Sequence, residues 1–322
     1  DEIREKADLV SIISQYVPLK KRGKNYVGLC PFHSERTPSF TVSPEKKLFH
    51  CFGCGEGGGI FAFIQKIENI DFIEAVEMLG ASLQIEVKKT ETRKEGKTEK
   101  EKLYDIISAA SKFYEANLKE AEIGRLARDY IKKRGIDERT SEVFRLGYAR
   151  EEWDTLSKYL IGRGYLPSDL EKAGVSIARL EGGGYYDRFR GRLMFPISDH
   201  RGREIGFGGR VLKDEEPKYI NSPESKIYYK GETLYGLNLT KDEIKKLKGA
   251  ILVEGYMDLI ACFQFGIKNV VASLGTALTT NQAKMIQRYC SNVILAFDSD
   301  SAGSSATEKS IELLRGIGLN VK

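Results

Sequence analysis

The stretch CPFHSERTPSFTVSPEKKLFHCFGC, residues 30–54, limits what this chain can fold into more than any other. Cys30-x-x-His33 and Cys51-x-x-Cys54 are two chelating pairs separated by 17 residues. A two-residue gap lets both side chains of a pair turn onto one ion. Two such knuckles complete a tetrahedron of sulfur and nitrogen donors, the geometry that Zn²⁺ accepts. Soft thiolates disfavour Mg²⁺ and Ca²⁺. Four protein ligands leave no open coordination position, so the reading is one structural zinc ion. The alternatives are a Cys51–Cys54 redox pair or unconnected core thiols. A redox pair belongs in a thioredoxin-like βαβ context, whereas short strands and glycines surround these cysteines. His50 is the other candidate for the nitrogen ligand, but only His33 keeps the paired spacing. Cys262 and Cys290 lie on apolar helical stretches and read as buried hydrophobes.

Charge gathers around the same stretch. Between Pro18 and His50 seven cations stand against two acids, a net of +5, which equals the net charge of all 322 residues. That concentration points to an anionic partner. Lys20, Lys21, Arg22, Lys24, Lys46 and Lys47 are interleaved with Tyr26 and Phe49, a pattern suited to single-stranded DNA, with phosphates on the cations and bases on the rings. Phe40 and Val42 are expected to form the small core beneath. The other reading is a solvated loop face.

No apolar run approaches the roughly 20 residues needed to span a bilayer, and no secretory pattern opens the chain. Five unevenly placed cysteines argue for a reducing compartment. The expectation is therefore a cytoplasmic protein without membrane contact. The lack of a starting Met suggests that Asp1 is a numbering start. At this length about two domains are expected. KKTETRKEGKTEKEK, residues 88–102, has no large apolar residue and reads as a flexible charged linker. Before it, residues 2–17 show helix periodicity, short extended runs lie near 26–29, 39–42 and 47–50, and helices are expected over 60–67 and 72–79. After it, helical patterns run to Tyr159, and 185–212 reads as strands joined by turns. From Ala250 buried apolar strands alternate with helices of about ten residues, which implies a parallel α/β sheet.

Two of those strands end in acids: LVEGYMD (252–258) and LAFDSD (295–300). Ligands of open parallel sheets bind beyond the carboxyl ends of the strands. Glu254, Asp298 and Asp300 gathered there without cations would repel, and hard oxygen donors suit Mg²⁺. The competing reading is that Glu254 and Asp298 cap the helices that follow. Between the two candidate sites, RFRGR (188–192), GGR (208–210) and PKYINSPESKIYYKG (217–231) are basic. Gly208 and Gly209 are expected to admit a ligand close to the backbone beside Arg210. Arg210, Lys218 and Lys230 suit a triphosphate or a template backbone. Read alone, that cluster is an ordinary solvated face.

Taken in order, CPFH…CFGC, YDRFRGRLMFPISDHRGREIGFGGR, PKYINSPES, LVEGYMD, SLGTAL and FDSDSAG resemble the bacterial replicative DNA primases of the DnaG type, over nearly the whole chain. The resemblance implies a multidomain α+β and α/β protein. A zinc ribbon with helices (1–87) would be followed by the linker (88–102), a mixed α/β basic subdomain (103–240) and a Toprim-like parallel α/β subdomain (241–322). It implies a DNA-directed RNA polymerase, a nucleotidyltransferase that makes short RNA primers on single-stranded DNA at the replication fork. Glu254 falls on the family's catalytic glutamate, Asp298 and Asp300 on its metal-binding pair, and Asp258 on a further acid contributing to magnesium or manganese, two or more ions. Arg210, Lys218, Tyr219 and Lys230 fall on positions for nucleotide and template, and Arg188, Arg190 and Arg192 of the basic run are expected to bind there as well. Ribonucleoside triphosphates, the template and an RNA–DNA hybrid product are the implied partners, with the replicative helicase bound through a C-terminal domain absent here. The family's next acidic motif would fall just past Lys322. Rival readings are another Toprim enzyme, a nuclease or topoisomerase, and a zinc-ribbon single-strand-binding module without turnover.

Overall fold

The computed structural model describes residues 2–33, 35–68, 70, 72–85, 98–179, 183–275, 277–297 and 301–322. They fall into two compact units, residues 1–95 and 96–322.

In the first unit the expected opening helix is two short ones, α1 (Glu2–Lys6) and α2 (Leu9–Ser14). Asp8 makes the break, because its carboxylate accepts the Val10 amide and starts a new helix there. Five strands follow: β1 (Lys20–Arg22), β2 (Asn25–Gly28), β3 (Phe40–Ser43), β4 (Leu48–Cys51) and β5 (Gly57–Gly58). They form one sheet in sequence order, with neighbouring strands antiparallel. Helices α3 (Ile60–Glu68) and α4 (Phe72–Ser82) complete the unit. Phe40, Val42, Phe49 and Cys51 point to one face and pack with Ile13, Phe63 and Ile64. Opposed residues share a face, so the register Lys20–Val27–Thr41–His50 places those four on the other face.

The second unit opens on α5 (Glu99–Lys119), not on linker. Thr98 and Glu101 form a reciprocal capping box, so residues 99–102, expected as flexible chain, are the first helical turn. The rest of the expected linker, 88–97, lies outside the described residues. Leu103, Ile106, Ile107, Ala110 and Tyr114 form the buried stripe of α5. Next come α6 (Arg125–Lys133), α7 (Glu138–Val143), β6 (Gly147–Ala149), α8 (Thr155–Ile161), α9 (Pro167–Lys172) and the hairpin of β7 (Ser176–Ala178) and β8 (Tyr185–Asp187). Buried Asp187 accepts the Leu156 and Ser157 amides at 2.7 and 2.8 Å and so caps α8. Strands β9 (Arg192–Ser198), β10 (Glu204–Val211) and β11 (Tyr219–Asn221) join β6 in an antiparallel sheet ordered β11-β10-β9-β6. All eight residues of β10 are buried.

The chain then runs through α10 (Leu237–Leu247), β12 (Gly249–Val253), α11 (Tyr256–Gln264), β13 (Val270–Ala272), α12 (Thr280–Gln287), β14 (Asn292–Ala296), α13 (Ser301–Gly316) and β15 (Asn320–Val321). These strands form a parallel sheet ordered β13-β12-β14-β15. No described helix is long and apolar enough to cross a membrane.

Candidate functional site

The knuckle pairs come together. A ring nitrogen of His33 and the sulfurs of Cys30, Cys51 and Cys54 belong to one cluster whose ligand atoms lie within 4.8 Å of one another. Cys30 and Cys54 sulfurs are 3.8 Å apart, and the Cys51 sulfur is 3.7 Å from His33 Nδ1. A tetrahedron with zinc–sulfur bonds of about 2.3 Å has an edge of about 3.8 Å, so the donors stand where one zinc ion holds them. The amides of Phe32 and Cys54 point at the Cys30 and Cys51 sulfurs, each at 3.4 Å. Burial pushes the Cys30 thiol up to about 12. Burial opposes ionisation of Cys51 as well, but the Ser39 hydroxyl and the Cys54 and Gly53 amides outweigh it and hold that thiol at about 7. His50, the other nitrogen candidate, lies on the opposite sheet face from Cys51, with its ring 4.7 Å from Phe52. His33 is therefore the nitrogen donor.

The expected DNA-contacting residues of this unit divide. Lys20, Lys21, Arg22, Lys24 and Lys46 are exposed. Lys47 is exposed too, but its ammonium donates to the Arg4 and Glu5 carbonyls at the end of α1. Two aromatic assignments need correction. Phe49 is 1% exposed, stacked on Phe40 and set edge-on to Phe63. Tyr26 pairs with Val42 on the core face and packs against the same cluster. Beside the knuckles, a ring that is offered to solvent is Phe52, 76% exposed between the two cysteines of its pair. Its signal was in the sequence: knuckle cysteines turn inward, so the residues between them turn out.

In the second unit β12 and β14 are adjacent and parallel, with Val253 opposite Ala296. Glu254 leaves β12 at the same carboxyl edge at which Phe297 leaves β14. Asp298 and Asp300 lie outside the described residues. Asp258 is exposed and accepts the Gly255 amide at 3.0 Å, which caps α11. One of the expected acids is thus engaged as a cap, while Glu254 stands before the helix.

Two of the basic residues, Arg190 and Arg210, lie on aromatic rings. Arg210, 8% exposed on β10, donates to the Tyr219 hydroxyl at 3.0 Å and lies over the Tyr130 and Tyr219 rings, with its Nε buried and unpartnered. Burial raises the Tyr219 hydroxyl's pKa against the pull of Arg210. Burial also holds the Lys230 ammonium below its usual range, and Lys218 is exposed. Arg190 lies 4.2 Å over the Trp153 ring, and Arg188 donates to the Asn221 carbonyl. Arg192 is a correction. It is 9% exposed, and its guanidinium donates to the Gly209, Pro217 and Lys218 carbonyls, so it ties β9, β10 and the approach to β11 together.

Gly208 and Gly209 are corrected as well. A Cβ on Gly208 would sit 2.3 Å from the Tyr256 ring, and one on Gly209 would sit 2.8 Å from Phe189. The space over them is filled by the protein's own rings, not left open for a ligand. Tyr256 also stacks on Phe195 at 4.8 Å, and its hydroxyl lies 2.7 Å from the Asn221 side chain. Gly208→Ala should drive that ring off the sheet and cost about 1–3 kcal/mol. An unchanged thermal transition for residues 96–322 would refute this.

Three family models match in series: the CHC2 zinc finger over 1–95, the N-terminal domain of the DNA primase catalytic core over 113–241, and a Toprim-like model over 251–322. The crystal structure of the zinc-binding and RNA polymerase domains of the Aquifex aeolicus primase is similar over 100% of this chain and 77% of its own, at 41% identity and a TM-score of 0.65. This chain belongs to the bacterial DNA primase family. The DNA primase of Clostridium acetobutylicum is 44% identical across the full chain, which covers 53% of that relative. The chain therefore spans about half the length of the curated primases that it matches. A DnaG primase catalytic domain bound to single-stranded DNA is 38% identical over 70% of this chain and 73% of its own, with a TM-score of 0.65. Within this primase architecture the parallel sheet is the Toprim-like domain, and the Cys30, His33, Cys51 and Cys54 cluster, with the matching zinc finger, supports one zinc ion.

Proposed function

We propose that this chain carries the template-reading and nucleotidyl-transfer regions of a DNA primase, which makes short RNA primers on single-stranded DNA. The observation that carries the reading is the shared carboxyl edge of β12 and β14. There Glu254 emerges two residues before Tyr256, the first residue of α11, whose ring is packed on the arginine-bearing sheet. The growing 3′-hydroxyl loses its proton and attacks the α-phosphate of a ribonucleoside triphosphate. The new phosphorus–oxygen bond forms as the bond to the β-phosphate breaks, and pyrophosphate leaves. Bound Mg²⁺ or Mn²⁺, two or more ions, lowers the pKa of the attacking hydroxyl and neutralises charge on the leaving group. Glu254, Asp298 and Asp300 are the residues proposed to hold the ions, with Asp258 nearby. Arg210, Lys218, Tyr219 and Lys230 hold the triphosphate, and Arg188 and Arg190 the template strand. The product is an RNA–DNA hybrid, made in the cytoplasm at the replication fork beside the helicase.

The test uses a chain extended to the length of its relatives, a single-stranded template, labelled ribonucleotides and Mg²⁺. Labelled short RNA is expected, and chelator should abolish it. Template cleavage without incorporation would instead indicate a Toprim nuclease, and metal-independent binding alone a module without turnover.

For the zinc unit we read the open sheet face as the single-strand surface, with Lys20 and Arg22 on one edge strand and His50 beside Phe52 on the other side. Each phosphate contact contributes about −0.7 to the slope of log affinity against log salt for single strands. Replacing Lys20 and Arg22 by Ala should flatten that slope by about 1.4. Phe52→Ala should weaken binding by about 1–3 kcal/mol, the worth of one stacked base, and leave the slope alone. Unchanged binding in both variants would remove this face as the template surface.

A further inference from the structure

We propose that Glu35 is a positioning residue of the zinc centre that commits His33 to bind metal through Nδ1, an inference that rests on the reading of this cluster as a zinc site. Glu35 lies two residues past His33, and its carboxylate reaches both knuckles. Oε1 accepts the amides of Cys30 at 2.7 Å and Ser39 at 3.0 Å. Oε2 lies 3.2 Å from Nε2 of His33 and accepts the Ser39 hydroxyl. The Ser39 oxygen in turn is 3.2 Å from the Cys51 sulfur. One carboxylate therefore holds the first knuckle's amide and faces its imidazole, and it holds Ser39, whose oxygen lies beside the second knuckle's sulfur.

The chemistry of imidazole makes this arrangement directional. A neutral ring carries its proton on one nitrogen and its lone pair on the other. A carboxylate facing Nε2 keeps the proton there, and the lone pair is left on Nδ1, which faces the Cys51 sulfur at 3.7 Å. Gly53 lies against the same ring. A Cβ there would sit 2.7 Å from His33 Nε2 and 2.8 Å from the Ser39 hydroxyl, so no side chain fits between residue 53 and this pair. Outer groups of this kind orient a ligand and raise its basicity, and their loss commonly weakens metal binding about 10–100-fold.

Glu35→Gln separates this role from simple support of the turn. The amide oxygen of Gln can still accept the Cys30 and Ser39 amides, and its NH₂ can still meet the Ser39 hydroxyl. Against His33 Nε2–H, however, it places donor against donor. The expected result is about 10–100-fold weaker zinc binding in chelator competition, with secondary structure retained. Glu35→Ala should lose at least as much. In the zinc-loaded natural protein, long-range ¹H–¹⁵N spectra of His33 should show a protonated Nε2 and a metal-bound Nδ1. Zinc bound through Nε2, or natural zinc affinity in Glu35→Gln even where Glu35→Ala fails to fold, would overturn the proposal while leaving the zinc site intact. A natural protein that takes up no stoichiometric zinc would overturn the site and the proposal together.

Discussion

Glu254→Gln in the full-length protein is expected to lower primer synthesis on the order of 10²–10³-fold at saturating Mg²⁺, while single-stranded DNA binding stays at the natural level. The exchange is isosteric and the side chain is half-buried at a strand end, so folding should shift by no more than about 0.5 kcal/mol. What it removes is a full negative charge at the point where β12 and β14 release their chains side by side. A site that stabilises charge developing in the transition state loses about that much rate when one preorganised group is taken away. Asp298→Asn should act in the same direction, because the proposed site divides one task between the two strand ends. Nucleotide incorporation measured beside binding by fluorescence anisotropy checks both variants. Full incorporation with Glu254→Gln would sink the assignment of this edge as the catalytic one.

Removing zinc should unfold residues 1–95 and leave residues 96–322 folded. Cys30 and Cys51 are members of the first unit's buried cluster as well as its proposed ligands, so the metal and the core are one object. Phe32, Phe40, Phe49 and Phe63 pack with ring centroids 5.3–6.2 Å apart directly against that cluster. Structural zinc supplies about 10–16 kcal/mol of apparent binding energy in small fingers, comparable to the whole stability of a domain, about 5–15 kcal/mol. The expected calorimetric trace has two transitions with zinc. After chelation the transition of the first unit is lost and that of the second is unmoved. Two unchanged transitions in protein shown to be metal-free would contradict this dependence.

The zinc cluster and the place of Glu254 at the end of β12 were legible because each is fixed by spacing or by position at the end of an apolar run. Phe49 was not, because the sequence places a strand over 47–50 while Lys47 takes φ 50° in the turn and the strand begins at Leu48. Which residues of β4 face in is decided by pairing with β3, and a period of two leaves no intermediate answer. Arg192 and Arg190 are two residues apart in one basic run, yet one is sealed among carbonyls and the other lies on a tryptophan face. Nothing local distinguishes them; burial is a property of the sheet that β9 joins. Gly208 was read as room for a visitor, and the occupant came from 48 residues downstream. The helix break at Asp8 and the capping box at Thr98 were present in the residues and overridden in the reading by apolar periodicity and by linker composition.

The ring of Tyr256 has a mechanical consequence. It sits two residues beyond Glu254 and is clamped between β10 at Gly208, the Phe195 ring and the Asn221 side chain. The acidic edge and the arginine sheet are therefore joined by a rigid spacer instead of a loop. In the proposed reaction, the groups assigned to opposite ends of one triphosphate keep their separation before any substrate arrives, so little orientational freedom remains to be lost on binding. A change that thinned this spacer would leave every charged residue in place and still put the two halves out of gauge.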